Sequence, residues 1–280
     1  MSDRSRIEWT EATWNPVTGC TKVSPGCAHC YAEAIAARFG RSFDVILHPE
    51  RLDQPLRWRR PRRVFVNSMS DLFHEQVPEG FIDQAFAVMG IADRHTFQVL
   101  TKRPRRMKSW ACASWGDGYF EPHHDRGDRV ASEATHWMGM PPDQWPLSNV
   151  WLGVSVENQR WAERVDTLLQ TPAAVRFVSA EPLLGPLDLN LEFGYCPKHD
   201  FSGGSCLQRH HPGVRHLDWL IVGGESGPNA RPMRIEWLES LVDQADEAGI
   251  PVFVKQDSGP RPGRQGRIPD RLWARKEMPR

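Results

Sequence analysis

Val150-Trp151-Leu152-Gly153-Val154-Ser155-Val156-Glu157-Asn158 is the stretch whose reading decides the fold. Apolar residues dominate it, and it ends abruptly in two polar ones. A strand with one wet face alternates apolar and polar residues. A nearly continuous apolar run belongs instead to a strand buried on both faces, as in a parallel sheet covered by helices. The same pattern recurs at 64–67, 97–101, 175–179, 217–222 and 251–255. Between these runs, segments 30–39, 81–92, 158–170 and 235–248 repeat their apolar residues at helical spacing, the segment 81–92 as an amphipathic helix. Such alternation predicts an α/β fold, either a barrel or an open sheet. With an N-terminal unit around 9–17, about six or seven β/α units are expected, short of the eight in a closed barrel.

Each run ends in polar or turn-forming residues: Asn67-Ser68-Met69-Ser70-Asp71, Thr101-Lys102-Arg103-Pro104, Ser155-Val156-Glu157-Asn158, Ser179-Ala180-Glu181-Pro182, Gly223-Gly224-Glu225-Ser226 and Lys255-Gln256-Asp257. Parallel α/β folds build their sites at the carboxyl ends of the strands, although any single cluster also reads as a helix cap. Two segments break the rhythm, at about 109–146 and 191–216, and read as inserted loops. Of twelve tryptophans, Trp110, Trp115, Trp137 and Trp145 fall in the first insertion. There they either staple the loop to the body or stack a nucleic-acid base.

The chain has 280 residues, 40% hydrophobic and 25% charged, which suits a single globular domain over 1–280. No run of 18 apolar residues is present, so no membrane helix is expected. Residues 1–11 are polar and charged, unlike a secretory signal, which leads to the expectation of a cytoplasmic protein with reduced thiols. The 35 basic and 35 acidic side chains cancel, without the basic excess usual in duplex binders. The charge is nonetheless uneven. Arg57, Arg59, Arg60, Arg62 and Arg63 crowd one stretch, Lys102, Arg103, Arg105 and Arg106 another, and the tail 261–280 is basic. These are either solvated side chains or a rim facing nucleic-acid phosphates.

Cys20, Cys27 and Cys30 form a C-x6-C-x2-C loop that follows the first expected strand and runs into the first helix. A helix N-terminus lowers a thiol's pKa and favours metal ligation. Gly19, Pro25 and Gly26 allow a tight wrap. Three thiolates are one short of a structural zinc site, and they would leave one iron of a 4Fe–4S cluster open to an external ligand. Zinc with His29 as fourth ligand, and three thiols unrelated to one another, are the alternatives.

These residues resemble the radical S-adenosylmethionine (SAM) enzymes, whose usual spacing is C-x3-C-x2-C. They are most similar to a phage-associated three-cysteine family distantly related to spore photoproduct lyase-like proteins. The likeness rests on TWNPVTGCTKVSPGCAHCYAE, NSMSDLF, LTKRP, WLGVSVEN, FVSAEPLLGP, IVGGESG and VFVKQ, which run in order along nearly the whole chain. The resemblance implies a partial (β/α) barrel of the radical SAM type. It implies a 4Fe–4S cluster on Cys20, Cys27 and Cys30, and SAM cleaved reductively to act on a nucleic-acid or nucleotide substrate. It places Ser68, Ser70 and Asp71 at the SAM amino group, Lys102, Ser155 and Glu157 on the ribose or carboxylate side, and Glu181, Glu225 and Lys255 on the substrate side. The six-residue gap after Cys20 departs from the usual three. NSMSD stands where the usual Gly-Gly-Glu-Pro element would follow the second strand, and GGES comes several strands later.

A second group, Cys196, His199, Cys206 and His210, has acceptable zinc spacing inside the second insertion. Two other functional classes fit the residues: a zinc-stabilised protein that binds nucleic acid or a partner protein without catalysis, and a metal-dependent nuclease using Asp71, Glu157 and Glu181.

Overall fold

The computed structural model describes residues 5, 7–112, 145–191 and 216–279. Its strands are β1 (Ala12–Trp14), β2 (Val17–Thr18), β3 (Ile46–Leu47), β4 (Arg63–Val66), β5 (Thr96–Thr101), β6 (Val150–Ser155), β7 (Val175–Ala180), β8 (Trp219–Gly223) and β9 (Val252–Gln256). Seven of them form one sheet in the order β1-β4-β5-β6-β7-β8-β9, and β2 pairs with β3 in a separate two-stranded sheet. Parallel strands taken in chain order, with helices in the connections, follow the winding of a (β/α) barrel, and seven strands make it a partial one. Among the described residues, no helix is long and apolar enough to cross a membrane.

The chain packs as two compact units. One holds residues 1–22, 30–152 and 171–174, and the other holds 23–29, 153–170 and 175–280. In the first unit, β1 and β4 run parallel with Trp14 opposite Val66, and β4 and β5 run parallel with Val66 opposite Val99. Its helices are α1 (Tyr31–Arg38), α2 (Glu79–Ile91) and α3 (Pro104–Cys112). Pro104 opens α3, where a missing N–H costs nothing. The helix α2 buries Phe81, Ile82, Asp83, Ala85, Phe86, Ala87, Val88 and Met89. That is more than one amphipathic stripe, as a helix clad on most sides requires. Its buried Asp83 accepts a hydrogen bond from the Trp110 indole at 2.9 Å. Trp110 also lies 4.2 Å from Phe86 and 5.4 Å from Trp145, centroid to centroid. Trp110 of the first expected insertion thus belongs to the core with Trp145 half-buried against it, while Trp115 and Trp137 fall outside the described residues.

In the second unit, β7 pairs with β8 and β8 with β9, all parallel, with a register shift at Val222/Gly223. Every residue of β8 is buried, as its unbroken apolar sequence requires. The expected helix 158–170 divides into a 3₁₀ turn, Gln159–Trp161, capped by the Asn158 side chain, and α4 (Glu163–Gln170). The helix α5 (Ile235–Glu247) buries Leu238, Leu241, Val242 and Ala245, the stripe its spacing predicts, and α6 (Asp270–Trp273) closes the chain. Gly153 of β6 has the Phe177 ring where a side chain would stand, 2.5 Å from an added Cβ.

Gly153→Ala is therefore expected to cost about 1–3 kcal/mol by overpacking. It should lower the urea midpoint with little change in slope. A wild-type midpoint would show that the Phe177 ring can move aside.

Candidate functional site

The carboxyl ends of the strands carry dense charge, and each unit arranges its own share. In the first unit the organiser is Asp71, which follows β4 and is 5% exposed. Its Oδ1 accepts from the Phe73 N–H at 3.0 Å and the Thr101 hydroxyl at 2.7 Å, and its Oδ2 accepts from the Lys102 N–H at 3.1 Å. Arg103 Nη1 donates to the same Oδ2 at 3.2 Å.

Arg103 is buried and spends its whole guanidinium. Besides Asp71 it reaches Glu75 through Nε at 2.9 Å, the Thr21 carbonyl and hydroxyl through Nη2 at 3.3 and 2.9 Å, and Cys20 Sγ through Nη1 at 3.5 Å. Burial opposes its charge, but Asp71 and Cys20 overcome that and hold its pKa above the ordinary guanidinium value. His74 sits beside it with a lowered pKa, because burial and the Arg103 charge both disfavour a second cation. The Gln76 N–H donates to His74 Nδ1 at 3.1 Å, which leaves Nε2 to face the Thr21 hydroxyl at 2.9 Å.

Other first-unit residues singled out from the sequence have local partners. The Ser70 hydroxyl donates to the Val17 carbonyl at 2.8 Å, and the Ser68 hydroxyl donates to Asn15 Oδ1 at 3.2 Å. The Tyr31 hydroxyl donates to the Ser68 carbonyl, next to Cys30 at the N-cap of α1. Lys102 is half-buried. The left-handed turn after β4 falls at Asn67, with φ of 56°, and its side chain accepts from the Val17 N–H.

In the second unit the 3₁₀ turn Pro25–Cys27 carries Cys27. Ser24 donates its hydroxyl proton to Glu157 Oε1. Glu157 has no exposed surface, and its Oε2 accepts from Arg164 Nη1 at 3.1 Å. Arg164 also donates to the carbonyl of the buried Ser155 at 2.7 Å. Glu225, 5% exposed, accepts from the backbone N–H and Nε of Arg231 at 2.8 and 2.9 Å, and His29 Nδ1 lies 2.9 Å from it. Burial alone would raise the Glu225 pKa, but the bonds from Arg231 and His29 hold it down at about 2. Lys255 pairs with Glu181 at 2.5 Å, and Gln256 Nε2 reaches the same carboxylate at 3.3 Å.

Cys20, Cys27 and Cys30 are all half-buried and free of disulfides. Their chemistry suits a thiolate-bound metal group, since a buried guanidinium beside Cys20 favours its ionised form. Among the described residues, no three His, Cys, Asp or Glu side chains are gathered as a metal-holding group. Cys196, His199, Cys206 and His210 lie outside the described residues. Two of the acids in the nuclease reading, Asp71 and Glu157, are each committed to an arginine.

Sequence reading missed Arg103, Arg164 and Arg231 as site-builders. Arg103 was grouped with surface cations. Its signal was position, at the end of an apolar run and directly before a helix-opening proline.

A model of the family described as "Protein of unknown function (DUF5131)" matches residues 4–268. No curated protein matches the chain. Among solved structures, a spore photoproduct lyase mutant aligns with 89% of this chain and 75% of its own, at 14% identity and a TM-score of 0.36.

Two outcomes follow from the geometry. Asp71→Ala leaves Arg103 buried without its main counter-charge and is expected to cost about 3–5 kcal/mol in urea unfolding. A loss below about 1 kcal/mol would show that water replaces the carboxylate. Glu225 titrates lower in the folded chain than in the unfolded one, so its contribution is present above about pH 4.5 and disappears as pH falls toward 2. Glu225→Gln should flatten that part of the stability–pH curve, and an unaltered curve would contradict the pairing.

Proposed function

Since the chain belongs to the family described as protein of unknown function (DUF5131), its chemistry has to be argued from its own residues, and we propose that it is a radical SAM-type iron–sulfur protein acting on a nucleic-acid or nucleotide substrate. Cys20, Cys27 and Cys30 would hold a 4Fe–4S cluster by their thiolates, with one iron left open. A bound cluster would supply the electron for reductive cleavage of SAM.

One observation carries the reading: the buried Arg103 donates to Cys20 Sγ at 3.5 Å. A guanidinium inside a protein lowers the cost of forming the thiolate, and hydrogen bonds to ligand sulfur tune a cluster's potential. The three-cysteine spacing and the absence of a disulfide at Cys20, Cys27 and Cys30 support the same assignment. In the first unit, Lys102 would meet the SAM carboxylate, and Ser68 and Ser70 would present oxygen to its ammonium. In the second, the Glu181–Lys255 pair would face the substrate, its two charges able to exchange a proton with it. Ser155, Asp71, Glu157 and Glu225 would act from behind, through the groups that they orient. The uneven basic stretches of the sequence suit a substrate that bears phosphate.

Anaerobic reconstitution provides the test. Wild type is expected to take up about four iron and four sulfide per chain, with broad visible absorption. It should release 5′-deoxyadenosine from SAM under reduction. Cys30→Ala should lose most of the iron and all SAM cleavage. Bound zinc without sulfide would sink the proposal.

A further inference from the structure

Four residues of the Cys27 turn are tied down by charged groups of their own unit. Ser24 has one hydroxyl proton and donates it to Glu157, so its lone pair faces Cys27 Sγ at 3.9 Å and accepts from the thiol. Gly26 packs so closely on Glu157 that an added Cβ would lie 2.4 Å from Oε1. The Pro25 carbonyl accepts from Arg231 Nη2 at 2.9 Å. His29 meets Glu225 Oε2 at 2.9 Å. Tethers thus fall on Ser24, Pro25, Gly26 and His29, on both sides of Cys27 in the chain. Glu157, with no exposed surface, offers nothing for a diffusible ligand to touch, and Glu225 is spent on Arg231.

We propose that Glu157 and the Glu225–Arg231 pair are positioning residues, which hold the Cys27 turn ready for ligation and take no direct contact with a bound small molecule. This rests on the cluster reading above. Two carboxylates resemble ligand-binding groups in sequence because they end strands, but here each carries an arginine, and Glu157 holds the Ser24 hydroxyl while Glu225 holds the His29 ring of the same loop. Cys20 has its own support in Arg103, and Cys30 has its own at the start of α1. Loss of the tethers should therefore free Cys27 alone.

The metal-free, reduced full-length chain can be alkylated with iodoacetamide and the rate read at each cysteine by mass spectrometry. Arg231→Gln and Ser24→Ala, both at partly exposed positions, are expected to speed alkylation of Cys27 about tenfold, as loss of one or two hydrogen bonds allows. Cys20 and Cys30 should keep their wild-type rates, and Ser24→Thr, which keeps the hydroxyl, should restore the Cys27 rate. Equal acceleration at all three cysteines, or none at Cys27, would overturn the assignment. Iron and sulfide uptake by wild type separates the two claims. A wild type that binds neither overturns the cluster with the alkylation result intact, and one that binds both while Cys27 stays at its wild-type rate overturns positioning alone.

Discussion

A guanidinium removed from water must find a counter-charge and acceptors for all five N–H groups, or the fold loses several kcal/mol. Arg103 meets that demand with Asp71, Glu75, Thr21 and Cys20. Its partners come from the stretch after β4 and from the cysteine loop, so one side chain of the β5–α3 connection ties three separate stretches of the first unit together. Asp71 is fixed in turn by Thr101 and by two backbone N–H groups. Because the charge is buried, each member constrains the others, and the loop that presents Cys20 inherits that rigidity.

The second unit repeats the device with different residues. Glu157 carries Arg164, Glu225 carries Arg231, Asp257 carries Arg267 and Glu181 carries Lys255. Strand ends that read as a row of ligand-facing acids are a row of acid–base pairs. This also accounts for part of the charge balance. The sequence offered two fates for its basic runs, solvent or phosphate. Arg103 has a third, an internal ion pair, while Arg59, Arg60 and Arg105 of the same runs are exposed.

Local pattern was enough for much of the architecture. The apolar runs at 64–67, 97–101, 150–156, 175–179, 217–222 and 251–255 became β4 to β9, because a strand covered on both faces favours apolar side chains at most of its positions. The helix 235–248 was equally plain, since its single buried stripe has the period of the helix. Less legible were elements whose character depends on distant neighbours. The burial of α2 on most sides follows from what packs over it. Trp110 looked like part of a loop until Asp83 and Phe86 supplied its partners from α2, 27 and 24 positions earlier.

What the sequence by itself determined is the order of strands and helices, the turn chemistry at the strand ends and the three-cysteine spacing, all of which depend on residues within a few positions of each other. Only the tertiary structure decided which of the many arginines are buried and which acids they neutralise. The Ser24–Glu157 bond spans 133 positions and the His29–Glu225 contact spans 196. No periodicity records such a separation. The partners of a buried charge are set by which strand ends the sheet brings side by side, and the cost of leaving that charge alone enforces the match.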